Sequence, residues 1–106
     1  MIRSVLRSGN SLRVELPADA MREIGELGKA RCYTDGVKLY VRPLHIETVG
    51  MIATDAKPRT VYHADRRWWI HLPHVWTRHV NVSAGSRVRI SAYAGVVEIE
   101  KEESDG

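Results

Sequence analysis

Arg7-Ser8-Gly9-Asn10-Ser11-Leu12-Arg13-Val14-Glu15-Leu16-Pro17 is the stretch whose reading decides the fold. Leu12, Val14 and Leu16 alternate with Arg13 and Glu15, which is the period of a half-buried strand. The cluster from Ser8 to Ser11 before it is a turn, and Pro17 after it ends the strand and suits the first turn of a helix. Fifty-six positions later the pattern recurs, with Trp68, Ile70, Leu72 and Pro73 standing for Leu12, Val14, Leu16 and Pro17.

Working outward, Met1 to Leu6 read as a strand leading into the turn at 7–11. Pro17 to Ile24 read as a short helix that Gly25 ends in a left-handed cap. Ala30 to Thr34 form a strand with Cys32 inward, Asp35-Gly36 a tight turn, and Val37 to Val41 a further strand closed by Pro43. After a stretch without periodicity, the second pass runs from Arg59. Its turn is Ala64-Asp65-Arg66-Arg67, its helix spans Pro73 to Val80, and Asn81 takes the place of Gly25. The chain therefore divides into a first repeat (1–44), a linker (45–57) with room for a short strand near Val49 to Ala53, a second repeat (58–101) and an acidic tail (102–106). The expected fold is mainly β with short helices, built from two tandem half-repeats. Units of this size are near the lower limit of independent stability, so the two are expected to share one core.

Net charge is +3, but five of the 13 acids and one of the 16 bases fall in the last nine residues. Residues 1–97 thus hold 15 bases against 8 acids, a net charge of +7. A basic body favours a polyanionic partner such as nucleic acid. A single cysteine excludes an internal disulfide framework. No apolar run reaches transmembrane length and no signal-peptide pattern is present, so no membrane partner and a cytoplasmic location are expected.

The order strand, turn, strand ending in Leu-Pro, short helix, Gly or Asn, loop and hairpin resembles the SpoVT/AbrB/MazE family of swapped-hairpin DNA-binding domains. The first copy resembles the MazE-type antitoxins through Gly9-Asn10-Ser11, Val14-Glu15-Leu16-Pro17 and Asp35-Gly36-Val37-Lys38-Leu39. The second, through Ala84-Gly85-Ser86-Arg87-Val88, is closer to the AbrB subgroup. In that family two chains interleave their hairpins into one barrel. The resemblance implies that here one chain carries both halves of an AbrB-like swapped-hairpin β-barrel, related by a pseudo-twofold.

The resemblance further implies a transcriptional regulator that binds double-stranded DNA through the strand 1–strand 2 turns, with no cofactor. The DNA-binding candidates are Arg7, Ser8, Asn10, Ser11, Arg13 and Arg22 in the first copy and His63, Arg66, Arg67 and Arg78 in the second. Arginine forks bind phosphate or the guanine edge bidentately, and Asn and Ser supply shorter donors and acceptors. Glu15 stands where the antitoxins have a contact arginine, and Trp69 where Arg13 has its counterpart. The carboxylate is expected to weaken one half-site. A toxin-binding, antitoxin-like role is the alternative. Family antitoxins hold their toxin with a long segment after the barrel, and only Glu100 to Gly106 follow it here. Self-association of whole chains stays open.

Other features carry less. His71 and His74 have a His-x-x-His spacing, but they fall on a strand and a following helix with no Cys or acidic cluster beside them, so no metal site is expected. Trp68 belongs to the core, whereas Trp69 and Trp76 suit either packing or a base-stacking platform. No nucleophile–base spacing or phosphate-cradling glycine loop supports an enzyme.

Overall fold

A computed structural model of the chain describes residues 1–25, 28–44, 48 and 50–102. His45, Val49 and the tail beyond Glu102 lie outside the described residues. The elements in chain order are β1 (Ile2–Ser4), β2 (Leu6–Ser8), β3 (Ser11–Leu16), α1 (Ala18–Ile24), β4 (Lys29–Thr34), β5 (Leu39–Pro43), β6 (Ile52–Ala53), β7 (Arg59–Ala64), β8 (Arg67–His71), α2 (His74–His79), β9 (Arg87–Tyr93) and β10 (Val96–Lys101). Among the described residues no helix is long and apolar enough to cross a membrane.

Antiparallel pairing runs β1-β9-β10-β5-β4-β7-β8-β3-β2, with β6 off the path on β4. The two ends of that path, β1 and β2, are consecutive in the chain, so the path comes round into a nearly closed barrel. Val5 is the joint between them. Its N–H donates to the Ser86 carbonyl at 2.8 Å and its carbonyl accepts from the Gly85 N–H at 2.9 Å. The first strand thus continues to Ser8, past the expected end at Leu6, and the turn shrinks to Gly9-Asn10. Arg7, Ser8 and Ser11 therefore sit on strands, because the hairpin ladder extends to the Ser8–Ser11 pair.

The pseudo-twofold is visible in the register. Val14 pairs with Ile70, its own counterpart, and the flanking pairs Arg13–His71 and Glu15–Trp69 exchange under the same correspondence. The other axis pair is Tyr40–Glu98, flanked by Val41–Val97 and Leu39–Ile99. Val5 on Ser86 is matched by Val61, whose N–H donates to the Gly28 carbonyl at 2.6 Å. The helices cross between halves. Glu23 on α1 accepts at Oε2 from the Gly95 N–H of the β9–β10 turn (2.8 Å), and the Trp76 Nε1–H on α2 donates to the Val37 carbonyl of the β4–β5 turn (3.1 Å).

One core fills the barrel. Val5, Val14, Leu16, Leu39 and Val41 of the first half and Ile70, Leu72, Trp76, Val88, Val97 and Ile99 of the second form a single buried cluster. A radius of gyration of 12.7 Å is that of one domain of this length. Cys32 is inward as expected, and burial pushes its thiol up to about 12.

Two local expectations need correction. Gly25 has φ 88 but ψ 168, so it is not a left-handed helical cap. It occupies the extended positive-φ region open essentially to glycine alone, while its N–H still bonds the Met21 carbonyl at 2.9 Å. The strand expected from Val37 begins only at Leu39. Asp35 explains the delay: its Oδ1 accepts from the backbone N–H groups of Val37 (2.9 Å) and Lys38 (2.8 Å), and Oδ2 from the Tyr40 hydroxyl (2.9 Å), which holds residues 35–38 in a loop.

Candidate nucleic-acid interface

Strands β2, β3, β8 and β7 lie side by side, and alternation sorts their residues between core and outer face. Val14, Leu16, Ile70 and Val61 go inward. Arg13, Glu15, Trp69, His71 and Tyr62 share the outer face through the pairs Arg13–His71, Glu15–Trp69 and Tyr62–Trp69. The two hairpin turns stand at opposite ends of the central β3–β8 pair. From the register, Ser11 and Arg67 are six residues apart along it, roughly 20 Å at the strand rise.

The turns differ in chemistry and in backbone. Gly9 has φ 61 and Asn10 a negative φ, the pattern of a type II′ turn, whereas Asp65 (φ 53) and Arg66 (φ 64) are both left-handed, the pattern of a type I′ turn. Asn10 and Arg7 are exposed, and Ser8 and Ser11 half-buried. On the other turn Arg66, Arg67 and His63 are exposed, and the His63 ring lies 4.9 Å from that of Trp68. Each turn is flanked by the helix of the other half. The Leu16–Trp68 pair sets α1 beside the second turn, where Arg22 and Trp68 line a cleft of about 500 Å³. The Leu72 N–H, bonded to the Leu12 carbonyl at 2.8 Å, sets α2 and Arg78 at the end of the first. The ten sequence-derived candidates thus form two groups at the two ends, with Arg13 between them.

The outer face is more basic than the Glu15 position suggests. Glu15 Oε1 lies 3.7 Å from Arg3 Nε and 3.6 Å from Arg67 Nη1, so two arginines hold the carboxylate. Its expected repulsion of phosphate is offset locally. Arg22 is paired with Asp19 at 3.2 Å, both exposed. Among the described residues Arg7, Arg66 and Arg78 form no ion pair.

Neither Trp69 nor Trp76 offers a stacking platform. Trp76 is fully buried, and Trp69 is 5% exposed because the Arg13 guanidinium lies over its ring, 4.1 Å from the centroid. Trp69 Nε1–H donates to the Ala64 carbonyl at 3.1 Å. Arg13 Nη1 donates to the Tyr62 hydroxyl (3.3 Å), which lies 3.1 Å from His71 Nε2. Burial first, then Arg59 and Arg13, hold the His71 pKa below its ordinary 6.5. Among the described residues no three His, Cys, Asp or Glu side chains converge to hold a metal ion.

Sequence reasoning passed over Arg3, Arg59 and Tyr62, and weighed His71 only as a metal ligand. Tyr62 and His71 reach the outer face through the pairs Tyr62–Trp69 and Arg13–His71. Their meeting with Arg13 depends on the β3–β8 and β7–β8 registers, which no local pattern encodes. Compared with protein-family models, curated proteins and solved structures, the chain gives no match.

Proposed function

We propose that the chain is a single-chain form of the swapped-hairpin family and binds double-stranded DNA through the outer face of β2, β3, β8 and β7, as a sequence-selective transcriptional regulator in the cytoplasm. The observation that carries this reading is the charge of that face. Arg3, Arg13 and Arg67 gather around Glu15, which two of them neutralise, while Arg7 stands at one hairpin turn and Arg66 beside Asp65 at the other. Phosphate contacts from such a surface release counterions, so affinity falls with salt. The exposed Arg7 and Asn10 at one end and Arg66 and Arg67 at the other supply the side chains that reach base edges.

The test is a salt titration of binding to genomic fragments. Arg7→Ala is expected to weaken binding and to lower the slope of log K against log salt by about one, the loss of one phosphate contact. Unchanged affinity and slope would remove Arg7 from the interface. Absence of DNA binding at low salt would remove the reading and leave the protein-partner alternative.

A further inference from the structure

Arg13 is held in an unusual state. Its guanidinium lies over the Trp69 ring, its Nε is buried without a hydrogen-bond partner, and among the described residues it makes no ion pair. Its one hydrogen bond goes to a neutral hydroxyl, Tyr62. By contrast Arg59, at the far side of His71, is fully matched. Asp55 takes its Nε and Nη2 at 2.6 and 2.9 Å, and its Nη1 donates to the His71 carbonyl at 3.2 Å. A partly buried cation without a counter-charge is costly unless something anionic completes it. A cavity of about 300 Å³ opens at its partner Tyr62 and at His71, which line it with Arg59 and Thr60.

We propose that Arg13, Tyr62 and His71 form a binding site for one phosphate-type oxyanion, in which the Tyr62 hydroxyl hydrogen turns from His71 to the anion. The hydrogen-bond count leads to this. Tyr62 has one hydrogen to give and accepts from Arg13. With His71 neutral, that hydrogen goes to Nε2. With His71 protonated, Nε2–H becomes the donor, Tyr62 accepts from both Arg13 and His71, and its own hydrogen is released toward the cavity. An oxyanion there would take that hydrogen together with charge-assisted bonds from Arg13. Anion binding and proton uptake at His71 are therefore coupled.

The groups facing His71 set the sign. Arg13 from β3 and Arg59 from β7 disfavour its protonation, Asp55 offsets Arg59, and Glu15 is occupied by Arg3 and Arg67. A bound oxyanion favours the charged imidazole. Binding then tightens as pH falls from the ordinary histidine range, toward a limit of about tenfold per pH unit for one proton taken up. The ligand chemistry is a phosphate group, from a DNA backbone or a small free oxyanion. The site rests on its own geometry, and DNA as its source rests on the reading above.

The probe is sulfate, titrated into the full chain against chloride at constant ionic strength, with histidine side-chain NMR followed between about pH 5 and 8. Sulfate is expected to raise the His71 titration midpoint saturably while leaving exposed His63, His74 and His79 where chloride puts them. Tyr62→Phe, with circular dichroism unchanged, should weaken sulfate about tenfold or more, as for a lost hydrogen bond to a charged group. His71→Gln should bind sulfate without the pH dependence, since its amide N–H donates to Tyr62 permanently. A His71 midpoint that ignores sulfate, that moves no more than that of His63, or that moves at the same sulfate concentrations in Tyr62→Phe as in the wild type would overturn the proposal. In a parallel arm a short DNA duplex replaces sulfate. A sulfate response with no duplex response supports the site and overturns only DNA as the source of its phosphate.

Discussion

Trp76 ties the two halves together, and removing it should show that they share one core. It is the largest fully buried side chain, it belongs to α2, and its Nε1–H bonds the Val37 carbonyl of the first half's hairpin at 3.1 Å. The corresponding place on α1 is taken by buried Ala20, so no second tryptophan backs it up. A buried Trp removes about 150–250 Å² from water, which at about 25 cal/mol per Å² is roughly 4–6 kcal/mol. Measured Trp→Ala losses of about 3–5 kcal/mol agree. Domain stabilities are only about 5–15 kcal/mol, so Trp76→Ala should leave a marginal protein. Trp76→Phe keeps most of the apolar surface and loses the indole bond. Val37 is 61% exposed, which lets water reach its neighbourhood, so the expected cost is about 1–2 kcal/mol. Urea unfolding followed by circular dichroism measures both. At a slope of about 1–3 kcal/mol per M, the alanine variant's midpoint should fall by roughly 2 M. Trp68 and Trp69 give an independent fluorescence probe on the β7–β8 hairpin, and its transition should coincide with the circular dichroism. A loss below about 1 kcal/mol for Trp76→Ala, or two separated transitions, would refute the shared core.

Cutting the chain between residues 48 and 57 should give halves that are unfolded or that homodimerise, as judged by circular dichroism and sedimentation. A stable folded monomer of residues 1–48 would contradict the nearly closed path. Asp35→Ala should cost about 1 kcal/mol at neutral pH through the loss of its turn hydrogen bonds. The Lys38 N–H above all, with those of Val37 and the Tyr40 hydroxyl, holds the Asp35 carboxyl below its ordinary 3.8, so this stability is complete above that value and disappears as pH falls through the lower folded value. A gap between wild type and variant that stays constant down to pH 2 would exclude Asp35 as its source. For DNA, selection from a random pool should return a non-palindromic site, because the turns present Arg7-Ser8-Gly9-Asn10-Ser11 and His63-Ala64-Asp65-Arg66-Arg67. A clean inverted repeat would refute that asymmetry.

Local pattern alone determined the elements and their repetition. Alternation in Leu12-Arg13-Val14-Glu15-Leu16, the prolines at 17 and 73 and the turn residues are short-range signals, since a side chain's face and a helix start depend on neighbours a few residues away. They located both hairpins, both helices and the inward Cys32. Tertiary structure decided what depends on residues far apart in the chain. The break at Val5, which nearly closes the barrel, needs Ser86 and Gly85 as partners. The neutralisation of Glu15 needs Arg3 and Arg67, and the covering of Trp69 needs Arg13. The meeting of Arg13, Tyr62 and His71 needs two strand registers at once. A one-residue slip in either register would send these side chains to the opposite face, and only the packing of the whole core specifies against that slip.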